Sequence, residues 1–145
     1  SPTPLPMGPD RAAIWPAGLS GSIAHDSGLA IAVARRGAPL GVDLEPDAPL
    51  DEDLWHIICT RTELDRLDRD IGRRVRHVFC AKEAVFKAQL PDARAMFGFE
   101  VLEVTLAEGR FDAQFRASVG AFQAGQVLSG RLAVVDNVIL AGVAW

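Results

Sequence analysis

The stretch from Phe79 to Lys87 constrains the fold most, because it places charges in the middle of a buried helix pattern. Apolar residues recur at spacings of three, four and seven, as on the core-facing side of an α-helix; they are Val75, Val78, Phe79, Val85, Phe86 and Leu90. Where this spacing calls for another apolar residue, the chain has Lys82 and Glu83, with Lys87 one turn later. Charges beside a buried stripe need a partner or a ligand. The alternative is an ordinary i,i+4 helix pair of Glu83 and Lys87.

A second stretch, Leu40-Gly41-Val42-Asp43-Leu44-Glu45, has the alternation of a strand. In an extended chain Asp43 and Glu45 point to the same face, about 7 Å apart. These two carboxylates repel each other unless a positive group lies between them. Because Mg²⁺ prefers carboxylate, water and phosphate oxygens, we hypothesise a magnesium site here. Glu83, on a helix packed against the strand, would be its third carboxylate.

Three motifs, in this order, are similar to those of the 4′-phosphopantetheinyl transferases. They are Gly21-Ser22-Ile23-Ala24-His25, Gly41-Val42-Asp43-Leu44-Glu45 and Phe79-Cys80-Ala81-Lys82-Glu83-Ala84-Val85-Phe86-Lys87. Their order and spacing resemble the surfactin-type class. The run from Leu90-Pro91 to Phe97-Gly98-Phe99 resembles its enterobactin synthetase component D branch. The resemblance extends from about Trp15 to the end of the chain, with one departure at Ala24, where the family commonly has a serine.

The resemblance implies both a fold and a reaction. The fold is α+β, with an antiparallel sheet packed against one long helix and short helices beside it. The reaction moves 4′-phosphopantetheine from coenzyme A to a serine hydroxyl of an acyl or peptidyl carrier protein. It releases adenosine 3′,5′-bisphosphate and converts the carrier protein from its apo to its holo form.

The resemblance also implies a role for the acidic residues and for Lys87. Asp43 and Glu83 would hold Mg²⁺, with Glu45 as a third ligand, either directly or through water. Glu83, or a water on the metal ion, would take the serine proton. Lys87 would stabilise or protonate the leaving oxygen.

Four basic side chains are implied to bind coenzyme A: Arg11, His25, Lys82 and Lys87. His25 and the two lysines would hold phosphates. Arg11 lies where the family usually has a basic residue near the 3′-phosphate. Without the resemblance, a single histidine beside the glycine-containing turn at 26–28 is more simply a hydrogen-bonded turn residue.

The remaining patterns predict strands at both ends of the domain and a helix start between them. Residues 22–24, 29–34 and the strand of Asp43 are predicted to form an antiparallel meander. Further strands follow residue 99, with a tight turn at Asp136-Asn137 between the last two. Thr60-Arg61-Thr62-Glu63 has the form of a helix capping box, which we prefer to the resemblance's alternative of a role for Glu63 near the metal.

The first twenty residues differ in composition from the rest, because they contain Pro2, Pro4, Pro6, Pro9 and Pro16. This density of proline excludes a regular helix or a central strand. We predict an extended proline-rich linker at 1–20, in which Trp15 marks a docking point. The C-terminal domain of a transferase would then cover 21–145.

The surfactin-type class is a pseudo-dimer of two similar halves with coenzyme A bound between them. The resemblance therefore predicts that this chain is a fragment of a larger transferase. An N-terminal half, or a second chain, would complete the coenzyme A site. Two alternatives stay open: a non-catalytic module that binds metal or coenzyme A, and another magnesium-dependent transferase or hydrolase acting on a nucleotide diphosphate.

The overall charge excludes some classes of partner. A net charge of −4 and a pI near 5.3 indicate neither a nucleic-acid-binding surface nor one for anionic membranes. No segment has the roughly 20 uninterrupted apolar residues of a membrane span. Cys59 and Cys80 are too few for a disulfide scaffold, so we expect buried, reduced thiols in a cytoplasmic protein.

Overall fold

The computed structural model describes residues 2–26, 28–93 and 98–145. Within these residues the helices are α1 (Glu52–Ile58), α2 (Arg61–Asp65) and α3 (Ile71–Ala93), and a short 3-10 helix covers Phe99–Val101. The strands are β1 (Leu19–Asp26), β2 (Leu29–Arg36), β3 (Leu40–Pro46), β4 (Leu102–Ala107), β5 (Arg110–Phe115), β6 (Val127–Val135) and β7 (Val138–Ala144). Antiparallel sheets and one long helix confirm the predicted α+β fold class.

The larger sheet has five strands in the order β3-β7-β6-β5-β4, and β1 and β2 form a separate hairpin. The predicted meander is wrong at its last step, because β3 pairs with β7 and not with β2. Leu40 lies opposite Ala144 in this pairing, so the strand of the acidic motif adjoins the last strand of the chain. The predicted tight turn between β6 and β7 is confirmed, since φ is 49° at Asp136 and 61° at Asn137.

Strand β3 is covered on both faces, which explains why the hairpin does not extend the sheet. Val42 and Leu44 face the hairpin and pack against its apolar side chains. The backbone N–H of Val42 also donates a 3.1 Å hydrogen bond to Oγ of Ser22 on β1. Gly41 and Asp43 face α3 instead. The hairpin therefore forms a layer on β3, opposite the helix.

Helix α3 packs on the sheet through small side chains as well as through the predicted stripe. Val75, Val78 and Val85 are buried, whereas Phe79 and Phe86 are only partly buried. None of the helices in the described ranges is long and apolar enough to cross a membrane. The other buried positions of the helix core are Cys80, Ala81, Ala84 and Ala88. The side chain of Leu90 and most of the predicted motif from Leu90 to Phe97 lie outside the described residues.

Gly41 sets the distance between β3 and α3. A Cβ atom at this position would lie 2.0 Å from the carbonyl oxygen of Ala84 and 2.5 Å from the backbone nitrogen of Ala88. No side chain fits in this space, so strand and helix are in direct backbone contact. This contact lies two residues before Asp43 and beside the helical turn that carries Glu83 and Lys87.

The proline-rich segment is attached to the domain at the predicted docking point. The indole ring of Trp15 covers Gly21 of β1, where a Cβ atom would lie 2.2 Å from Cζ2 of the ring. Before it, Met7 and Ala13 form an antiparallel bridge around a turn. The boundary between linker and domain at residue 20 stays a prediction.

Both cysteines are buried and free, as predicted. Burial raises the pKa of the Cys59 thiol to about 12. Burial also raises the pKa of Cys80, whose thiol lies close to Asp43. Both side chains therefore act as small apolar residues of the core at neutral pH.

Candidate functional site

Two carboxylates of β3 face α3, and each is paired with a basic side chain of that helix. Nζ of Lys87 donates a 2.6 Å hydrogen bond to Oδ1 of Asp43. Nη1 of Arg76 lies 3.4 Å from Oε2 of Glu45. Glu83, which is partly buried, lies between these two basic residues along the helix. The structure thus brings Asp43, Glu45, Glu83 and Lys87 to one side of β3.

Burial raises the pKa of each of the three acidic side chains. Burial raises the pKa of Asp43 above its ordinary value of 3.8, and Lys87 offsets this only in part. The pKa of Glu83 is raised above 4.5 by burial and then by the negative charge of Asp43. Burial followed by the charge of Asp43 also raises the pKa of Glu45, to which Glu83 adds a smaller effect. The cluster is therefore short of positive charge.

A divalent cation would supply that charge. Oδ2 of Asp43 is buried and accepts no hydrogen bond from any residue that the structure describes. A buried carboxylate oxygen without a partner is costly and is a suitable ligand for a hard cation. In the described ranges, no three His, Cys, Asp or Glu side chains are already gathered as ligands of one ion. The carboxylates of Asp43, Glu45 and Glu83 fit Mg²⁺ by chemistry and charge. In the structure, Asp43 contacts Lys87 and Glu45 contacts Arg76.

The sequence analysis missed two acidic residues of this region. The charge of Asp26, at the end of β1, contributes to the raised pKa of Glu45. Asp47 lies 3.0 Å from Nε2 of His77 and accepts a 3.1 Å hydrogen bond from Arg73. Asp47, directly after β3, continues the alternation of acidic residues at 43 and 45, which was a usable signal. Nothing in the local sequence identifies Asp26, which comes close only through the stacking of the hairpin.

Lys82, which was expected to bind a phosphate of coenzyme A, does not reach this cluster in the structure. Its side chain is 1% exposed and points into the core. Nζ donates three hydrogen bonds, to the carbonyl oxygen of Ile58 at 2.8 Å, to Oε2 of Glu63 at 2.8 Å and to the carbonyl oxygen of Phe99 at 2.9 Å. An ammonium group has three protons, so these bonds use all of them.

Glu63 forms the predicted capping box with Thr60. Its carboxylate accepts a 2.7 Å hydrogen bond from the backbone N–H of Thr60, and its own N–H donates to the Thr60 hydroxyl. Its second oxygen, Oε1, accepts a 2.6 Å hydrogen bond from the backbone N–H of Val104. The structure therefore places Glu63 in the core with Lys82, with both carboxylate oxygens in use.

The two other predicted coenzyme A residues lie on the surface. His25 is exposed near the end of β1, the strand that also carries Asp26. Arg11 is exposed in the N-terminal turn and has a positive φ of 63°. Both positions are open to a ligand, and their roles stay predictions.

Comparison with protein families gives two matches that together cover most of the chain. Residues 39–133 match the 4′-phosphopantetheinyl transferase superfamily. Residues 1–35 match the 4′-phosphopantetheinyl transferase N-terminal domain. The second match ends near the end of β2 and contains the hairpin, whereas β3, β4, β5 and most of β6 fall in the first match.

Similar proteins include several named transferases. The chain is 30% identical to 4′-phosphopantetheinyl transferase Npt of Nocardia iowensis over 161 aligned positions, which cover 99% of this chain and 72% of Npt. It is 34% identical to 4′-phosphopantetheinyl transferase PptT of Mycobacterium tuberculosis, covering 72% of this chain and 48% of PptT. It is 39% identical to enterobactin synthase component D of Escherichia coli O157:H7, covering 57% of this chain and 42% of that protein.

A solved structure has the same fold. The chain superimposes on holo-[acyl-carrier-protein] synthase of Thermotoga maritima with a TM-score of 0.57 and 22% sequence identity. The match covers 74% of this chain and 62% of that structure. At this identity the likeness establishes the fold alone.

Proposed function

The chain belongs to the 4′-phosphopantetheinyl transferase superfamily, and we propose that it transfers 4′-phosphopantetheine from coenzyme A to a serine of an acyl or peptidyl carrier protein. The transfer would convert an apo carrier protein to its holo form. Carrier proteins of this kind serve the synthesis of nonribosomal peptides, polyketides and siderophores.

The arrangement of Asp43, Glu83 and Lys87 carries this proposal. Attack of a hydroxyl on a diphosphate needs a group that accepts the hydroxyl proton. It also needs a positive charge beside the leaving oxygen. Burial and the negative charge of Asp43 raise the pKa of Glu83, and this carboxylate is the group that we propose takes the proton. The Lys87 ammonium lies in the same cluster, bonded to Asp43, and its side chain is 29% exposed.

The proposed chemical step is an in-line displacement at phosphorus. The serine oxygen forms a bond to the phosphorus that carries the pantetheine arm, and the bond from this phosphorus to the bridging oxygen breaks. Glu83 takes the serine proton. The bridging oxygen leaves with adenosine 3′,5′-bisphosphate, and Lys87 stabilises its negative charge or protonates it.

We further propose that Asp43 and Glu83 hold Mg²⁺, with Glu45 as a third ligand, either directly or through water. The buried Oδ2 of Asp43 without a hydrogen-bond partner among the described residues and the raised pKa of all three carboxylates support this assignment. When bound, the ion would neutralise and orient the diphosphate. His25 is proposed to contact a phosphate of coenzyme A, and Arg11 to contact the 3′-phosphate.

The site for coenzyme A is proposed to include residues beyond this chain. The chain spans less than half of PptT and of enterobactin synthase component D. The missing contacts would come from an N-terminal half or from a second chain. The experiment therefore includes the complete gene product.

The test is mass spectrometry of an apo carrier protein incubated with coenzyme A, MgCl₂ and either this chain or the complete gene product. A mass gain of one phosphopantetheine that disappears with a chelator and with Glu83→Gln is the expected result. Glu108→Gln, an exposed carboxylate after β4, is the matched control. Release of adenosine 3′,5′-bisphosphate without a carrier protein would instead show a hydrolase. Coenzyme A binding without transfer by the complete gene product would show a binding module.

A further inference from the structure

The buried ion pair of Lys82 and Glu63 joins α3 to α1, α2, the 3-10 helix and β4. Lys82 contacts the last residue of α1 and the 3-10 helix through the carbonyl oxygens of Ile58 and Phe99. Glu63 contacts the start of α2 through Thr60 and the start of β4 through Val104. A single pair of charges therefore holds five segments of backbone.

The pair lies next to the candidate site in sequence, and Lys82 points from a different face of the helix than Glu83. Lys82 directly precedes Glu83 on α3. The sheet side of the same part of α3 is fixed by Gly41, which contacts the backbone at Ala84 and Ala88. This part of α3 is therefore held from two sides, and the placement of Glu83 relative to β3 depends on both.

Lys82 has no donor left for a substrate while this pair is intact. If its ammonium turned toward a phosphate, the Glu63 carboxylate, which is 0% exposed, would lose its positive partner. Leaving a buried charge without its partner is strongly unfavourable. Lys87, by contrast, is partly exposed, with its ammonium bonded to Asp43.

We propose that Lys82 and Glu63 form a positioning pair, which holds the turn of α3 that carries Glu83, and that neither residue contacts coenzyme A. The burial of the pair does not depend on the proposed function. The expected effects on coenzyme A binding, metal binding and turnover do rest on it. It divides the two lysines of the chain into one inside the fold and one at the site.

Chemical labelling of the unmodified protein tests the division directly. Lys82 and Lys87 are the only lysines in the sequence, so reductive methylation with ¹³C-formaldehyde gives two side-chain NMR signals in addition to that of the N-terminal amine. In the free protein Lys82 should react at least about 100-fold more slowly than Lys87, because it reacts only after local unfolding. Adding coenzyme A with MgCl₂ should slow the labelling of Lys87 and leave Lys82 unchanged. Fast labelling of Lys82 that coenzyme A suppresses would overturn the proposal.

Variants test whether the pair positions Glu83. Lys82→Met and Glu63→Gln should each weaken Mn²⁺ binding, measured by electron paramagnetic resonance, and lower kcat by about 10-fold or more. KM for coenzyme A should stay within about 2-fold, because no phosphate contact is lost. The double variant should lose no more than the worse single variant, since both changes break one interaction. If the losses of the two single variants multiplied in the double variant and KM for coenzyme A rose, Lys82 would be shown to contact coenzyme A.

The two experiments separate this inference from the proposed function. Slow labelling of Lys82 in the free protein, with no transfer to a carrier protein by the complete gene product, would support the buried pair and count against the proposed transferase. Protection of Lys82 by coenzyme A would refute the positioning pair while supporting the transferase. If a variant fails to fold, the labelling of the unmodified protein still decides the outcome.

Discussion

Lys87 on α3 donates a 2.6 Å hydrogen bond to Asp43 on β3, although the two residues lie 44 positions apart in the chain. The bond uses Oδ1 and leaves Oδ2 of the same carboxylate without a hydrogen-bond partner in the described part of the chain. Lys87 on Asp43 and Arg76 on Glu45 therefore only partly compensate a cluster of three carboxylates whose pKa values are all raised. The three carboxylates disfavour one another's charges, and the effect of mutation, protonation or Mg²⁺ on this repulsion can be measured.

Glu83→Gln should change stability and activity in opposite directions. Without divalent cations the variant should be more stable than the native protein by about 1 kcal/mol, because it removes a partly buried negative charge and the repulsion between that charge and Asp43. Its kcat for transfer should fall by about 100-fold or more, because the proton acceptor is lost. Urea unfolding and the carrier-protein assay measure the two effects. Glu108→Gln should change neither, and a destabilised Glu83→Gln would contradict the repulsion described here.

The pH dependence of stability gives a second test of the cost of burying the Glu83 charge beside Asp43. The folded-state pKa of Glu83 lies above its ordinary value of 4.5, so the folded protein binds this proton more tightly than the unfolded chain. The associated stability is fully present below pH 4.5 and is lost as the pH rises through the raised folded-state pKa. The advantage of Glu83→Gln over the native protein should therefore grow from near zero at pH 4 to its full size at pH 7.5. Metal-free urea titrations across this range would show it, and an advantage independent of pH would exclude this cause.

Magnesium should stabilise the protein through the same carboxylates, and the loss of Asp43 should weaken Mg²⁺ binding more than the loss of Glu45. At pH 7.5 MgCl₂ should raise the Tm of the native protein, and Asp43→Asn should abolish the increase because it removes the free buried oxygen. Glu45→Gln should weaken Mg²⁺ binding less, by about 10-fold, since Glu45 is proposed as the third ligand, directly or through water. Differential scanning fluorimetry with increasing MgCl₂ measures both. Equal losses in the two variants would show that Glu45 is as direct a ligand as Asp43.

Local patterns predicted the elements of the site, but not every contact between them. The alternation of Asp43 and Glu45 and the period of α3 were sufficient to place them in a strand and a helix, because both signals are carried by neighbouring residues. The turn at Asp136-Asn137 and the capping box at Thr60 are local in the same sense. All of these are confirmed.

Long-range contacts are where the sequence reasoning failed. The charge of Lys82 within an apolar stripe required a partner or a ligand, and the helix period alone cannot distinguish Glu63 from a phosphate. The pairing of β3 with β7, at the far end of the chain, could not be predicted either, because strand alternation does not specify the neighbouring strand. Asp26 was missed for the same reason, since it approaches Glu45 only through the layer that the hairpin forms on β3.

The contact between Gly41 and α3 should be as important to the site as any charged residue. Gly41→Ala places a methyl group 2.0 Å from the carbonyl oxygen of Ala84, so β3 must move away from the helix. We expect a loss of about 1–3 kcal/mol in unfolding free energy. Mg²⁺ binding should also weaken, because Asp43 moves away from Glu83.

Gly142→Ala is the matched control, on the neighbouring strand β7. Gly142 lies opposite Val42 in the sheet, and a methyl group there would meet its nearest neighbour at 3.6 Å, which is ordinary contact. This variant should keep native stability and metal binding in the same urea and fluorimetry experiments. If Gly41→Ala lost stability but kept full affinity for Mg²⁺, the strand-to-helix distance would not control the site. If both variants were equally affected, the cause would be the general cost of replacing glycine in a strand.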